Sequence, residues 1–474
     1  MDGFTLTGAA LYDFGRPPTQ ETAPASPPES QSADIGFDMQ NPSGKRPDVD
    51  SLAQDSFGNP IDPVVGFARG TIIRSSVDEA RRLQQGQAVA AARVRELGPE
   101  SIGIFTGNQR DFPVSPDDLL TLCEEWVGPG LGAKELRAVA VKHMGGKAED
   151  GVTIFNRTSA GIIATIAANA AGKTVVSVVP PGGRSHASVV RGARIAQVKL
   201  VEVQGDKDWR SAIEAESPGL VVVTTVTSSL ERLEDTITTQ VVDFAKRRNA
   251  IVFLDEAYGA RLRPVLHAGA LSLQLGADIS ITNCDKAGLS GPRAGVLVGR
   301  QDLVTAASAK ASEFGMEARA PIAAAVLRSL QKYSPEDLQK EAQAGQVLAT
   351  ALQNRLGRER VQRSDLGPMI DENDVLAILL ERAGRADDKP AVVPCEATSA
   401  LGMVLLRDHG VLTVNTHGQP GARVSVRLKP TLDALRRAGG LEAVIDAMDK
   451  SLTDIAKIIH DRDAVARLVL GAAQ

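Results

Sequence analysis

Two residues in the middle of the chain have the types and setting to work as a chemical pair: Asp255 and, about thirty residues later, Lys286. Asp255 lies in IVFLDEAYGARL and Lys286 in GADISITNCDKAGLSGPRAGVLVG. Each follows an apolar run that reads as a buried strand. In open α/β sheets ligands sit outside the carboxyl ends of the strands, so both side chains are expected to face one crevice. An amine held there can condense with an aldehyde, and a carboxylate can keep a ring nitrogen protonated so that the ring serves as an electron sink. Taken singly, an Asp at a strand end is usually a helix cap and a Lys a solvated surface group. The joint pattern, with small residues around the lysine, favours chemistry.

A second feature is IFNRTSAGIIATIAANA, where Asn156, Arg157, Thr158 and Ser159 precede an apolar helix. Free N–H groups and hydroxyls at the positive end of a helix form a cup for a phosphate, although an ordinary capping turn has the same composition. Composition leaves the two readings open; phosphate contact by Thr158 and Ser159, with Thr282 and Asn283 completing the site, is what the fold type resembled below implies. In GQPGARVSVRLKPT, Arg423 and Arg427 lie four apart on an expected strand and share one face. Their guanidinium forks suit a substrate carboxylate, and a surface-strand role is the plain alternative. Two glycine motifs are set aside. NAAGKT has Ala167 where a phosphate loop needs its first glycine, and GPGLGAK has no strand ahead of it. Cys284, two residues before the lysine, is a candidate nucleophile, against the commoner use of a lone cysteine as buried packing.

The elements that must position these residues alternate along the chain. Strands are expected at residues 174–179, 199–203, 219–226, 250–256, 278–283 and 294–299, separated by helices such as SAGIIATIAANAA and TTQVVDFAKRRN. Short Val/Ile-rich strands between amphipathic helices predict an α/β fold, a mostly parallel sheet covered on both faces. Helical spacing also marks SVDEARRLQQGQAVAAARVREL, SPDDLLTLCEEWV and GPGLGAKELRAVAVKHM. Beyond about residue 318, a long helical stretch followed by LAILLER, MVLLRD and ARVSVRL predicts a smaller α+β domain. The expected organisation is an arm at 1–65, a helical segment at 66–150, a large domain at 151–325 and a small domain at 326–474. The arm contains RPPTQETAPASPPESQSAD, too poor in apolar residues to offset its ordering entropy.

Composition narrows the class. The 474 residues are 43% hydrophobic but only 3% aromatic, so Ala, Val, Leu and Ile must fill the core. A net charge of −5 gives no reason to expect general nucleic-acid binding. Cys123, Cys284 and Cys395 are odd in number and widely spaced, which argues against a disulfide framework or a metal site and fits a reducing compartment. No apolar run approaches the roughly 18 residues of a membrane span, and a soluble cytoplasmic protein is the expectation.

DEAYGARL followed by GADISITNCDK resembles the DEAHGAH and GAD…SxHK segments of ornithine, lysine and arginine decarboxylases, with Tyr258 and Asp285 standing where that pattern has His. CDKAGLSGPRAGVLVG is still more similar to the GDK-LLGGPQAG segment of bacterial selenocysteine synthase (seryl-tRNA(Sec) selenium transferase) and its archaeal relatives. The resemblance covers roughly residues 128–299. It implies fold type I of the pyridoxal-5′-phosphate (PLP) enzymes, the aspartate-aminotransferase superfamily, with a mostly parallel seven-stranded-type sheet. It further implies PLP held by Lys286, tuned by Asp255 and bordered by Ala257, Thr282 and Asn283. PPGGRSHASVVRGARIA is similar to a CHKS turn of the decarboxylases, which implies that His186 stacks on the pyridine ring. ARVSVRL is similar to the ARIRVQ strand of the α-oxoamine synthases, which implies that Arg423 holds the substrate carboxylate. The reaction implied first is elimination or replacement on an amino acid, then decarboxylation or transamination; a cofactor-binding scaffold without turnover is a further reading. A tRNA substrate fits poorly, because this acidic chain shows no evident basic domain. A homodimer or larger homo-oligomer is also implied.

Overall fold

The computed structural model describes residues 53–109, 111–385, 389–418 and 424–472. Most of the expected arm, and Arg423, lie outside the described residues. Seven strands form one sheet: β1 (Gly151–Phe155), β2 (Val175–Val179), β3 (Leu200–Gln204), β4 (Leu220–Thr224), β5 (Ile251–Asp255), β6 (Ile279–Asn283) and β7 (Gly295–Gly299). Their order is β1-β7-β6-β5-β4-β2-β3. Strands β3, β2, β4, β5 and β6 pair in parallel, while β7 runs antiparallel to both β6 and β1. The sequence reading places β2 to β7 within a residue or two. It misses β1, because GVTIF runs straight into the segment read as a phosphate cup.

Alternation along the strands sends side chains to two cores. Val222 and Phe253 pack with Ile162, Ile166, Leu303 and Val304 on one face. Val221, Val223, Val252 and Leu254 pack with Trp209, Ile213, Val241 and Val242 on the other. Each large apolar side chain buried this way stabilises the fold by roughly 1.5–3 kcal/mol. The sheet is therefore rigid where its carboxyl edge must hold groups still.

The C-terminal part adds a three-stranded antiparallel sheet of β8 (Gln362–Ser364), β9 (Gly367–Ile370) and β10 (Val426–Arg427), with β9 in the centre. Helix Pro394–His409 lies at the heart of this part, buried from Pro394 to Leu406. Helix α1 (Ser76–Leu97), started by the Ser75 side chain accepting from Val77 N–H, packs on that helix. Val65, Phe67, Ile72 and Ile73 enter the same core. The next helix of the site region, α2 (Gly128–Met144), instead packs against Ala320–Lys332. The capping box at Ser115 is present, yet only the single turn Pro116–Leu119 is helical, shorter than its sequence predicts. Among the described residues no helix is long and apolar enough to cross a membrane.

Candidate functional site around Lys286

Because β1, β2, β4, β5 and β6 point the same way, their carboxyl ends lie along one edge of the sheet. That edge carries the start of α3 (Thr158–Asn169), the turn leading to α4 (Ala187–Ile195), Asp255, and the loop bearing Lys286. Asp255 is 3% exposed and sits between Thr224 and Ile281 in the ladder. Among the described residues its carboxylate has one hydrogen-bond donor, the Ala257 N–H at 3.3 Å. Burial pushes its pKa up to about 6, against the pull of that N–H and of the Lys286 charge, and the neighbouring Glu256 carboxylate adds to the rise. A buried carboxylate so thinly satisfied fits a cationic ring N–H, the partner that a protonated pyridine presents.

His186 caps α4: its Nδ1 accepts the Ser188 N–H at 3.2 Å and lies 2.6 Å from Ser188 Oγ. His186 is exposed; partial desolvation and then the cations Lys286, Arg191 and Arg157 lower its pKa, which favours the neutral imidazole. Thr158 and Ser159 open α3, and Thr158 Oγ1 donates to Ala294 O at 3.2 Å, tying the helix start to β7. Cys284 is fully buried and its thiol is pushed up to about 12 by burial, which leaves it a packing residue. Arg427 is buried and its Nη1 donates to the Ser228 carbonyl in the loop after β4.

The Lys286 loop owes its shape to Arg261, which the sequence reading did not single out. Arg261 lies on α5 (Gly259–Leu266) and is fully buried. Its Nε donates to Ala287 O at 3.1 Å, Nη1 to Thr282 Oγ1 at 2.9 Å, and Nη2 to Asn283 Oδ1 at 2.8 Å. Thr282 Oγ1 also donates to Glu256 O, and Asn283 Nδ2 donates to Ala257 O. The side chains of Thr282 and Asn283 are thus engaged with this guanidinium and with backbone carbonyls. Ala287 and Gly288, the two residues after the lysine, have φ of 49° and 79°. An alanine in the left-handed region persists only where its surroundings fix it, and Arg261 grips its carbonyl. Behind the guanidinium stands His143, its Nε2 3.3 Å from Nη1; burial and the Arg261 charge push this imidazole down to about 3. Glu341 accepts the Gly288 N–H at 3.3 Å, and burial raises its carboxyl to about 7.

Two further contacts were not expected from the sequence. Lys286 Nζ lies 4.7 Å from the centroid of the Tyr258 ring. Lys429, 4% exposed, donates from Nζ to Tyr258 Oη at 3.0 Å. Only the position of Tyr258 inside DEAYGARL could have flagged the first, and nothing local flags the second. Among the described residues no His/Cys/Asp/Glu cluster is arranged to hold a metal ion.

The sheet order, the crossovers and the lysine–aspartate edge define a fold type I PLP protein. The chain belongs to the aminotransferase class I and II family, whose model matches residues 126–437. It is 30% identical over 412 residues to the UPF0425 pyridoxal phosphate-dependent protein of Methanothermobacter thermautotrophicus, covering 84% of this chain and 100% of that one. The corresponding protein of Methanosphaera stadtmanae is 27% identical over 395 residues, covering 80% and 96%. Among solved structures the fold is shared with an alanine–glyoxylate aminotransferase from Nostoc (TM-score 0.50, 13% identity, 74% of this chain and 94% of that one). It is also shared with a chain of the SepCysS–SepCysE N-terminal domain complex (TM-score 0.50, 14% identity, 76% and 96%). The cofactor of this protein is pyridoxal 5′-phosphate.

Proposed function

We propose that this chain is an enzyme acting on an amino-acid substrate, with Lys286 as the residue that carries PLP, and that its reaction is elimination or replacement. The observation that carries the reading is geometric: buried Asp255 ends β5, the Lys286 loop follows the neighbouring parallel β6, and His186 caps α4 at the same sheet edge. Bound there, PLP would supply an electron-withdrawing ring that weakens the bonds at the substrate Cα. Asp255 would accept the ring N–H, and His186 would offer a π-face to the ring. Thr158 and Ser159, at the positive end of α3, receive the phosphate. Thr282, Asn283 and Ala257 act through Arg261 to hold the lysine loop. The Lys286 amine would move a proton at the substrate Cα. Arg427 and Arg423 are the candidates for the substrate carboxylate.

Replacement chemistry is supported by the similarity of the 284–299 segment to selenocysteine synthase. Transamination is the second reading, favoured by the family model. The remaining features belong to the same proposal: a cytoplasmic enzyme, a large domain at 151–325, a small one at 326–474, and a homodimer. Support for the dimer comes from residues 112–131, where Phe112, Leu120, Trp126 and Leu131 are exposed and Asp111 N–H donates to Ser290 O on the lysine loop.

An absorbance spectrum of purified wild type against Lys286→Ala, before and after a panel of amino acids, tests the reading. The wild type is expected to show a visible band from lysine-bound PLP that the variant lacks, and the amino acid that shifts it names the substrate class. A variant that keeps the same band would remove Lys286 from its role. No response to any amino acid would favour a scaffold without turnover.

A further inference from the structure

Lys429 and Lys286 approach one phenol from segments far apart in sequence. Lys429 Nζ lies 4.3 Å and Lys286 Nζ 4.7 Å from the Tyr258 ring centroid, and Lys429 Nζ donates to Tyr258 Oη at 3.0 Å. The backbone builds this convergence. The segment running from Phe105 to Gln109 bridges to Lys429 at Thr106 and, two residues on, to Lys286 at Asn108. Lys429 N–H donates to Phe105 O at 2.9 Å, and Gln109 N–H to Asp285 O at 3.1 Å. Between the two bridges Gly107 has a φ of +70°, and a Cβ there would stand 2.7 Å from Lys429 Cδ. Its missing side chain leaves the lane through which Lys429 reaches Tyr258.

Burial and the cations Arg427 and Lys286 disfavour a proton on Lys429, while Glu231 and Asp365 favour it. Burial wins and pushes the ammonium well below its ordinary value. An unpaired ammonium is therefore disfavoured there, and a counter-charge in direct contact would offset that cost; the Tyr258 oxygen, 3.0 Å from Lys429 Nζ, is placed to supply one.

Resting on the reading that Lys286 carries the cofactor, we propose that Lys429 is a positioning residue that shares one dissociable proton with Tyr258 and so supplies a phenolate oxygen beside Lys286. The proton passes from Tyr258 Oη to Lys429 Nζ. One O–H bond breaks, one N–H bond forms, and the pair stays neutral overall.

A pH titration of the near-ultraviolet phenolate band in cofactor-stripped protein tests this. The chain has 3 tyrosines, Tyr12, Tyr258 and Tyr333, and Y258F assigns the signal of the middle one. In K429M the Tyr258 ionisation constant is expected to fall about ten-fold or more, the scale of one adjacent opposite charge, and K429R is expected to recover much of it. Coincident wild-type and K429M curves overturn the proposal. So does a wild-type Tyr258 that ionises no earlier than free tyrosine, a result that needs no lysine variant to fold. Because the protein is stripped, the titration reads the pair whatever Lys286 carries. A wild type without a lysine-bound PLP band defeats the functional reading and leaves this measurement standing.

Discussion

At the scale of single residues, the site is a set of buried groups whose charges are set by their neighbours. Asp255 has the clearest consequence. Its folded pKa is raised from 3.8 to about 6, so the folded state holds its proton more tightly than the unfolded state does. The sign follows from linkage: cofactor-free protein gains from this group at low pH and loses that gain as pH rises from about 4 through about 6. Asp255→Asn removes the buried charge. The cofactor-free variant is therefore expected to be more stable than wild type at pH 8, by up to about 3 kcal/mol, and to converge with it below pH 4. Urea denaturation at the two pH values measures this. The same variant should bind PLP more weakly, since an amide does not hold the ring cationic. A D255N protein less stable than wild type at pH 8 would contradict the burial argument.

At the scale of elements, the loop between β6 and β7 takes its shape from a helix on another strand's end. Arg261 on α5 donates to side chains at the end of β6, to a carbonyl after β5, and to the carbonyl following Lys286. Arg261→Met keeps the length and apolar stem but leaves these buried acceptors unmatched. The expected cost is on the order of 3–5 kcal/mol, with loss of the lysine-bound PLP band exceeding what the stability change explains. Arg261→Lys should rescue little, because one ammonium cannot reproduce a planar fork of five donors. Denaturant midpoints and PLP titration of both variants decide this. A fully functional lysine variant would show that only the charge matters. This clamp was not legible in the sequence: DEAYGARL stands out for Asp255 and its family resemblance, and nothing in it marks a helix whose arginine turns inward. An arginine is ordinarily read as solvated. Full burial requires that strands β5 and β6 and helix α2 supply the acceptors together.

At the scale of the whole molecule, two features stand out. The chain segment ahead of the large sheet is divided, with α1 joining the C-terminal core while α2 lies beside β7. Helical periodicity announces both helices, yet it cannot say which core an amphipathic face will find. The second feature is the exposed stretch 112–131, where Trp126 is 93% and Leu120 88% accessible. Large apolar side chains exposed together near a site are the mark of an interaction surface. The double variant Trp126→Glu, Leu131→Glu is expected to turn a dimer into a monomer with an unchanged circular dichroism spectrum, read by analytical ultracentrifugation. A wild type that sediments as a monomer at all concentrations would end the dimer proposal.

The sequence by itself determined the order of strands β2 to β7 with the helices between them, and set Asp255 and Lys286 after two neighbouring parallel strands. The reason is geometric: buried strands in a parallel sheet announce themselves by composition, and parallel pairing brings their carboxyl ends to one edge. Only the tertiary structure decided what surrounds that pair. Lys429 meets Tyr258 across 171 residues, and Arg261 meets His143 across 118. No local spacing encodes such contacts, and whether a lysine or arginine lies buried depends on acceptors that arrive from several elements at once. The sequence therefore placed the candidate groups on the sheet, and the packing decided what surrounds them.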